Sequence, residues 1–208
     1  MKWSSFHATV RTLPWFDLQT LKTVFPQEHR TLPVQLSRWK RAGAVVQLRR
    51  GLYTLSEQYR SAPIHAPGVA NILYEPSYLS LEWAMSWHGL IPEYAPLLTS
   101  VTPRETARFS NVFGEFVYRS LRSDLFYGYR TERISQVDVF VAPPGKALCD
   151  YLYLTPGPWT ADRIRELRLD PETLPGADEL ESTAAAFNSS KVERAARTVA
   201  RVAAEEAP

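Results

Sequence analysis

The clearest pattern of apolar and polar positions lies between Tyr78 and Pro92. Leu81, Ala84, Met85 and His88 recur at helical spacing on one side, and Trp83 and Trp87 share another. The pattern predicts a short helix with both ends marked. Ser80 is the expected N-cap, its hydroxyl accepting from an orphan amide of the first turn. Glu82 follows where negative charge suits the helix dipole. Gly89 is suited to a left-handed C-terminal stop, and Pro92 bars resumption. A helix apolar on two faces is normally buried, so this segment with its two tryptophans is expected at the centre of a core.

The first sixty residues have their own syntax. A helix over residues 3–11 stops before the Leu13-Pro14 step. Asp17 starts a second, with Leu18, Leu21 and Phe25 on one side and Pro26 closing it. Thr31 is the expected cap of a third that runs to Ala42, with Leu32, Leu36 and Trp39 as its apolar stripe. Its other side carries Val34, Ser37, Arg38 and Arg41, with Arg30 just ahead of the cap. Residues 45–48 and 52–55 read as strands of a hairpin whose turn is Arg49-Arg50-Gly51, the glycine supplying a positive φ.

Residues 56–68, with Pro63 and Pro67, read as a linker between a unit of residues 1–60 and another of 61–208. In the second unit, residues 97–102, 112–118, 125–129 and 137–141 are β-rich. Four such strands predict a largely antiparallel sheet with the Trp83/Trp87 helix packed on it. Pro143-Pro144-Gly145 opens an amphipathic helix from Lys146 to Leu154, residues 160–169 form another, and 178–206 favour helix throughout. Fraying is expected over residues 204–208. The fold class is therefore α+β: an N-terminal helix-turn-helix with a wing, then a mixed α/β domain with a helical C-terminus.

Charge separates the two units. Residues 1–60 carry ten Lys/Arg against three Asp/Glu, a formal +7, which leaves 14 against 19, or −5, for residues 61–208. A basic unit ahead of an acidic one implies a polyanionic partner for the first only. Helix, turn, helix and a basic-tipped hairpin describe a winged helix-turn-helix, whose second helix enters the major groove while the wing meets backbone phosphate. Arg30, Thr31, Ser37, Arg38, Arg41, Arg49 and Arg50 are the DNA contacts this predicts. The single cysteine, Cys149, precludes an intramolecular disulfide and suits a reducing cytosol. No apolar run reaches the roughly 18 residues of a membrane span, and no secretory signal opens the chain, so a cytoplasmic protein without membrane contact is expected.

Enzyme signatures are sparse. There is no glycine-rich phosphate loop and no nucleophile elbow. The histidines (His7, His29, His65, His88) show no metal-ligand spacing, so no metal site is expected. His88 reads as a core-edge residue at a helix end. Lys146 and Asp150, at i and i+4, read either as a surface ion pair of about 0.3–0.5 kcal/mol or as a phosphate-binding Lys with a magnesium-binding Asp.

Four segments in this order, Arg49-Arg50-Gly51-Leu52-Tyr53, Tyr78 to Ala84, His88-Gly89-Leu90-Ile91-Pro92 and Ala142 to Asp150, resemble the AbiE-type abortive-infection antitoxins. The resemblance spans residues 15–155; Gly145 stands where an acidic residue is common, and Trp83 where the family is often smaller. It implies a winged helix that represses its own operon and a domain that opposes a nucleotidyltransferase-like toxin. It also directs attention to Ser80, His88, Lys146 and Asp150 as the antitoxin-domain motif. The expected function is that of a non-enzymatic antitoxin and autorepressor with no cofactor, its partners being the toxin and operator DNA. The alternatives are an antitoxin that phosphorylates its toxin with Mg-ATP, and a ligand-sensing transcriptional regulator.

Overall fold

The computed structural model describes residues 1–28 and 30–206. Its N-terminal part runs α1 (Trp3–Val10), β1 (Phe16–Asp17), α2 (Leu18–Val24), α3 (Leu32–Arg41), β2 (Val45–Arg49) and β3 (Leu52–Leu55). The three strands form an antiparallel sheet in the order β1-β3-β2. Asp17 caps α2 as its sequence position predicts, accepting from the Thr20 N–H at 2.7 Å. Gly51 turns the hairpin with φ 83°. Phe6, Val10, Phe16, Leu21, Leu32, Leu36, Val45 and Leu55 form a core of their own, against which Trp3 and Trp39 pack.

Thr31 does not cap α3 with its side chain. Its hydroxyl donates instead to the Glu28 carboxylate (2.8 Å), which is also paired with the N-terminal ammonium. The expected linker is tied down at its start: the Tyr59 carbonyl accepts from His7 Nε2 (2.8 Å), and Ser61 N–H donates to the Arg11 carbonyl (2.8 Å). α4 (Ala66–Leu73) then begins the second part.

That part contains β4 (Tyr78–Leu79), α5 (Leu81–Trp87), β5 (Leu98–Thr102), β6 (Ala107–Asn111), β7 (Gly114–Ser120), β8 (Arg130–Ile134) and β9 (Val137–Val141), followed by α6 (Pro144–Leu154), α7 (Ala161–Arg165), α8 (Ala177–Ala185) and α9 (Ser190–Glu206). The protein is α+β, and its large sheet, ordered β6-β7-β5-β4-β9-β8, is mixed. β6/β7, β4/β5 and β8/β9 pair antiparallel, whereas β5/β7 and β4/β9 pair parallel. β5 is buried along its whole length, so it lacks the alternation of a half-exposed strand.

Several expected elements differ. Residues 125–129 are not a strand; a short 3-10 turn (Ser123–Leu125) leads into an irregular passage in which Gly128 has φ 77°, and pairing begins only at Arg130. β6 falls outside the expected strands, because its sequence Ala-Arg-Phe-Ser-Asn offers little apolar surface. Helix does not persist over 178–206: α8 ends at Ala185, and Asn188 has φ 47° before α9 resumes the helical path. α9 remains helical to Glu206, while Ala207, Pro208 and His29 lie outside the described residues. None of the described helices is long and apolar enough to cross a membrane.

The central helix is buried on one face only. Leu81, Ala84 and Met85 are in the core, but Trp83 and Trp87 stack nearly parallel (5.7 Å between centroids, 6°) and Trp87 is 49 % exposed. The expectation of a helix buried on both faces, with its two tryptophans at the centre of a core, is overturned: Trp83 packs only partly buried against the core, Trp87 is half-exposed, and the Leu81/Met85 side alone is fully enclosed.

Candidate functional site

Two arrangements carry chemistry. The first is a closed polar cluster where the stretch from Tyr78 to Ser80 meets α6. Tyr78 and Ser80 lie two residues apart on extended chain, and so face the same way. Lys146 and Asp150 lie one helical turn apart on α6. Lys146 Nζ donates to Asp150 Oδ1 and to the Tyr78 hydroxyl (2.8 Å). Asp150 Oδ2 accepts from Tyr78 (3.0 Å) and from Ser80 (2.8 Å). The ammonium also lies 4.7 Å from the Phe187 ring centroid.

This overturns the expectation of a surface ion pair: the Lys146 and Asp150 side chains are 3 % and 0 % exposed. Burial pushes the Asp150 carboxyl up, while Lys146 and the two hydroxyls pull it down. Burial and Asp150 together hold the Tyr78 phenol protonated far above its ordinary range. The adjacent Cys149 thiol is pushed up to about 12 by burial and Asp150, so it is no nucleophile near neutrality.

Ser80 is the residue before α5, but its hydroxyl is spent on Asp150 and its side chain caps nothing. Thr99 of β5 supplies the cap from across the sheet: its hydroxyl accepts from Trp83 N–H (3.0 Å) and donates to the Ser80 carbonyl (2.8 Å). The turn is tight enough to place Leu81 at φ 59°, a left-handed conformation uncommon for a branched side chain. His88 stands apart from the cluster and donates from Nε2 to the Ala142 carbonyl (2.9 Å), which fixes the end of α5 to the loop before α6.

The second arrangement is a basic surface. Arg30, Thr31, Arg38 and Arg41 are exposed, and Ser37 is half-buried with its hydroxyl 3.5 Å from Arg41. Leu32 and Leu36 bury the opposite side of α3. Arg49 and Arg50 project from the hairpin tip. Across a cleft of ≈ 270 Å³ they meet Arg104, Tyr74 and Phe109 from the second part of the chain. The Arg104 guanidinium lies over the Tyr74 ring at 4.2 Å.

Of the residues expected to meet DNA, all but Ser37 stand on exposed surface. Arg104, which the fold adds to this basic surface, was not among them, since nothing in the local pattern sets it apart from its neighbours. Tyr78 was missed too, although its two-residue spacing to Ser80 was available as a signal. Among the described residues no group of three or more His, Cys, Asp or Glu is placed to hold a metal ion. No family model matches the chain, and no curated protein is significantly similar to it.

Proposed function

We propose that the chain is a cytoplasmic antitoxin of the AbiE type that represses its own operon through an N-terminal winged helix-turn-helix and opposes a nucleotidyltransferase-like toxin through its second domain. The observation that supports the DNA-binding half best is one of placement. α2 and α3 are followed by a hairpin, the buried side of α3 is apolar, and Arg38, Arg41, Arg49 and Arg50 all remain in solvent. The antitoxin half rests on the resemblance of four ordered segments, whose polar residues Tyr78, Ser80, Lys146 and Asp150 converge on one another. The phosphotransfer alternative draws no support from that cluster. A lysine and an aspartate paired with each other and with Tyr78 and Ser80 out of solvent are not presented to phosphate or magnesium.

The first test is promoter binding. Replacing Arg49 and Arg50 together with Ala should weaken binding to the chain's own promoter and flatten its salt dependence by about 0.9 log units for each phosphate no longer neutralised. Retained affinity and an unchanged slope in a folded double variant would remove the hairpin from the interface. The second is to co-express the chain with the nucleotidyltransferase-like toxin that this reading requires and determine that protein's mass. Protection without a mass change supports the proposal, and a gain equal to phosphate overturns its non-enzymatic part.

A further inference from the structure

A cavity of ≈ 290 Å³ opens between the two parts of the chain, close to the smaller end of the ~300–1,000 Å³ usual for small-molecule sites. Its walls are aromatic: Phe126, Tyr129 and Phe140 come from the second part, and Trp15 comes from the first. Phe126 and Phe140 each lie 5.5 Å from Tyr129, the latter edge to face. Tyr129 in turn stacks on Tyr78 at 4.8 Å, so the wall is backed by the buried cluster.

The position of Phe140 is fixed by its backbone. β4 runs parallel to β9 and begins too late to pair with this stretch, its one paired residue being Leu79 opposite Val141, and the Asn71 side chain takes a strand's place. Asn71 Oδ1 accepts from Phe140 N–H (2.6 Å), and its Nδ2 donates to the Phe140 carbonyl (3.3 Å). The ring therefore stands at the mouth, 46 % exposed, without being loose.

The polar lining has one sign. Glu75 and Asp138 contribute the charged groups, and no lysine or arginine lines the cavity. Asp138 shares its carboxylate with Arg133 outside (2.6 Å), and Arg104 reaches only the Glu75 main-chain carbonyl (3.0 Å). Ser77, 5 % exposed, also lines the cavity, and its hydroxyl has no hydrogen-bond partner among the described residues.

Several aromatic rings beside carboxylates form an environment that attracts a cation and gains little from an anion. We infer that this cavity binds a small organic cation, an alkylammonium head held by Phe126, Tyr129, Phe140 and Trp15 with Glu75 and Asp138 at the rim. This site is independent of the DNA-binding reading.

The test uses the full chain and a matched pair of probes in titration calorimetry: choline and its uncharged carbon isostere 3,3-dimethylbutan-1-ol, with benzyltrimethylammonium as a bulkier cation. At least one cation should bind saturably, with choline favoured over the isostere by about tenfold or more, the factor that 1.4 kcal/mol represents. Glu75→Gln with Asp138→Asn should erase the preference for charge. Phe140→Ala, at a half-exposed position that folding tolerates, should weaken the cation about tenfold. Equal binding of cation and isostere, no saturable binding of either cation, or affinities indifferent to these folded variants would each overturn the assignment.

Discussion

Lys146 and Asp150 keep no appreciable contact with water, and hydrogen bonds with each other, Tyr78 and Ser80 hold them there. That burial sets the cost of disturbing either one. An exposed pair on a helix is worth about 0.3–0.5 kcal/mol, whereas removing one partner of a buried pair leaves an uncompensated charge and costs about 3–5 kcal/mol. Lys146→Ala should therefore lower unfolding free energy in denaturant titrations by several kcal/mol. Asp150→Asn should also cost several kcal/mol, because it leaves the Lys146 ammonium buried without its carboxylate even though an amide oxygen still accepts from Ser80 and Tyr78. A change of only a few tenths for Lys146→Ala would mean that water reaches the pair. The spacing of the two residues was plain in the sequence, but their burial was not. It arises because α6 packs against α5, α8 and α9, elements that lie well away from the pair along the chain.

Local chemistry made some elements legible and left others hidden. Asp17 announced α2 because the cap acts over three residues, and Arg49-Arg50-Gly51 announced the hairpin because its turn needs a positive φ. Ser80 misled for the opposite reason: the hydroxyl that caps α5 belongs to Thr99, and only tertiary structure brings it there. The same limit applied to β6 and β8, edge strands whose polar residues carry no strong period. The cap at Asp17 can be tested by pH. Burial raises its carboxyl, but the Thr20 amide and hydroxyl, the Gln19 amide and Arg49 bring the net shift below the ordinary 3.8. A depressed folded-state pKa gives stability that is fully present above that value and disappears as pH falls through the folded one. Asp17→Ala should lose about 1 kcal/mol at neutral pH, with the deficit shrinking in acid below pH 3.8. A deficit equally large in strong acid would show that the side chain acts by packing, not as a charged cap.

At the scale of the whole molecule, the charge division suggested two units, and apolar packing shows how they are joined. Residues 1–60 have a core of their own, yet the hairpin has two apolar sides. Val45 and Leu55 face that core, whereas Leu48 and Leu52 belong to the larger one around β5 and α6. Asn111 of β6 donates to the Leu48 carbonyl (3.1 Å), so the hairpin is fastened to the edge of the main sheet. A strand with apolar residues at odd separations is ambiguous in sequence, since each face suits either core; here both are used. Cutting near residue 61 would expose Leu48 and Leu52 on one fragment and their partners on the other. At about 1.5–3 kcal/mol for each large buried side chain, exposing these two leucines costs about 3–6 kcal/mol before any relaxation. The full chain should consequently unfold in one calorimetric transition whose measured and van't Hoff enthalpies agree. A fragment of residues 62–208 should still fold around its own core, but melt well below the full chain. It should also fail to bind the promoter that the full chain binds. Two resolved transitions in the intact protein, or a fragment that melts at the same temperature as the whole, would show that the hairpin contributes nothing to the larger core and that the two units are coupled by the chain alone.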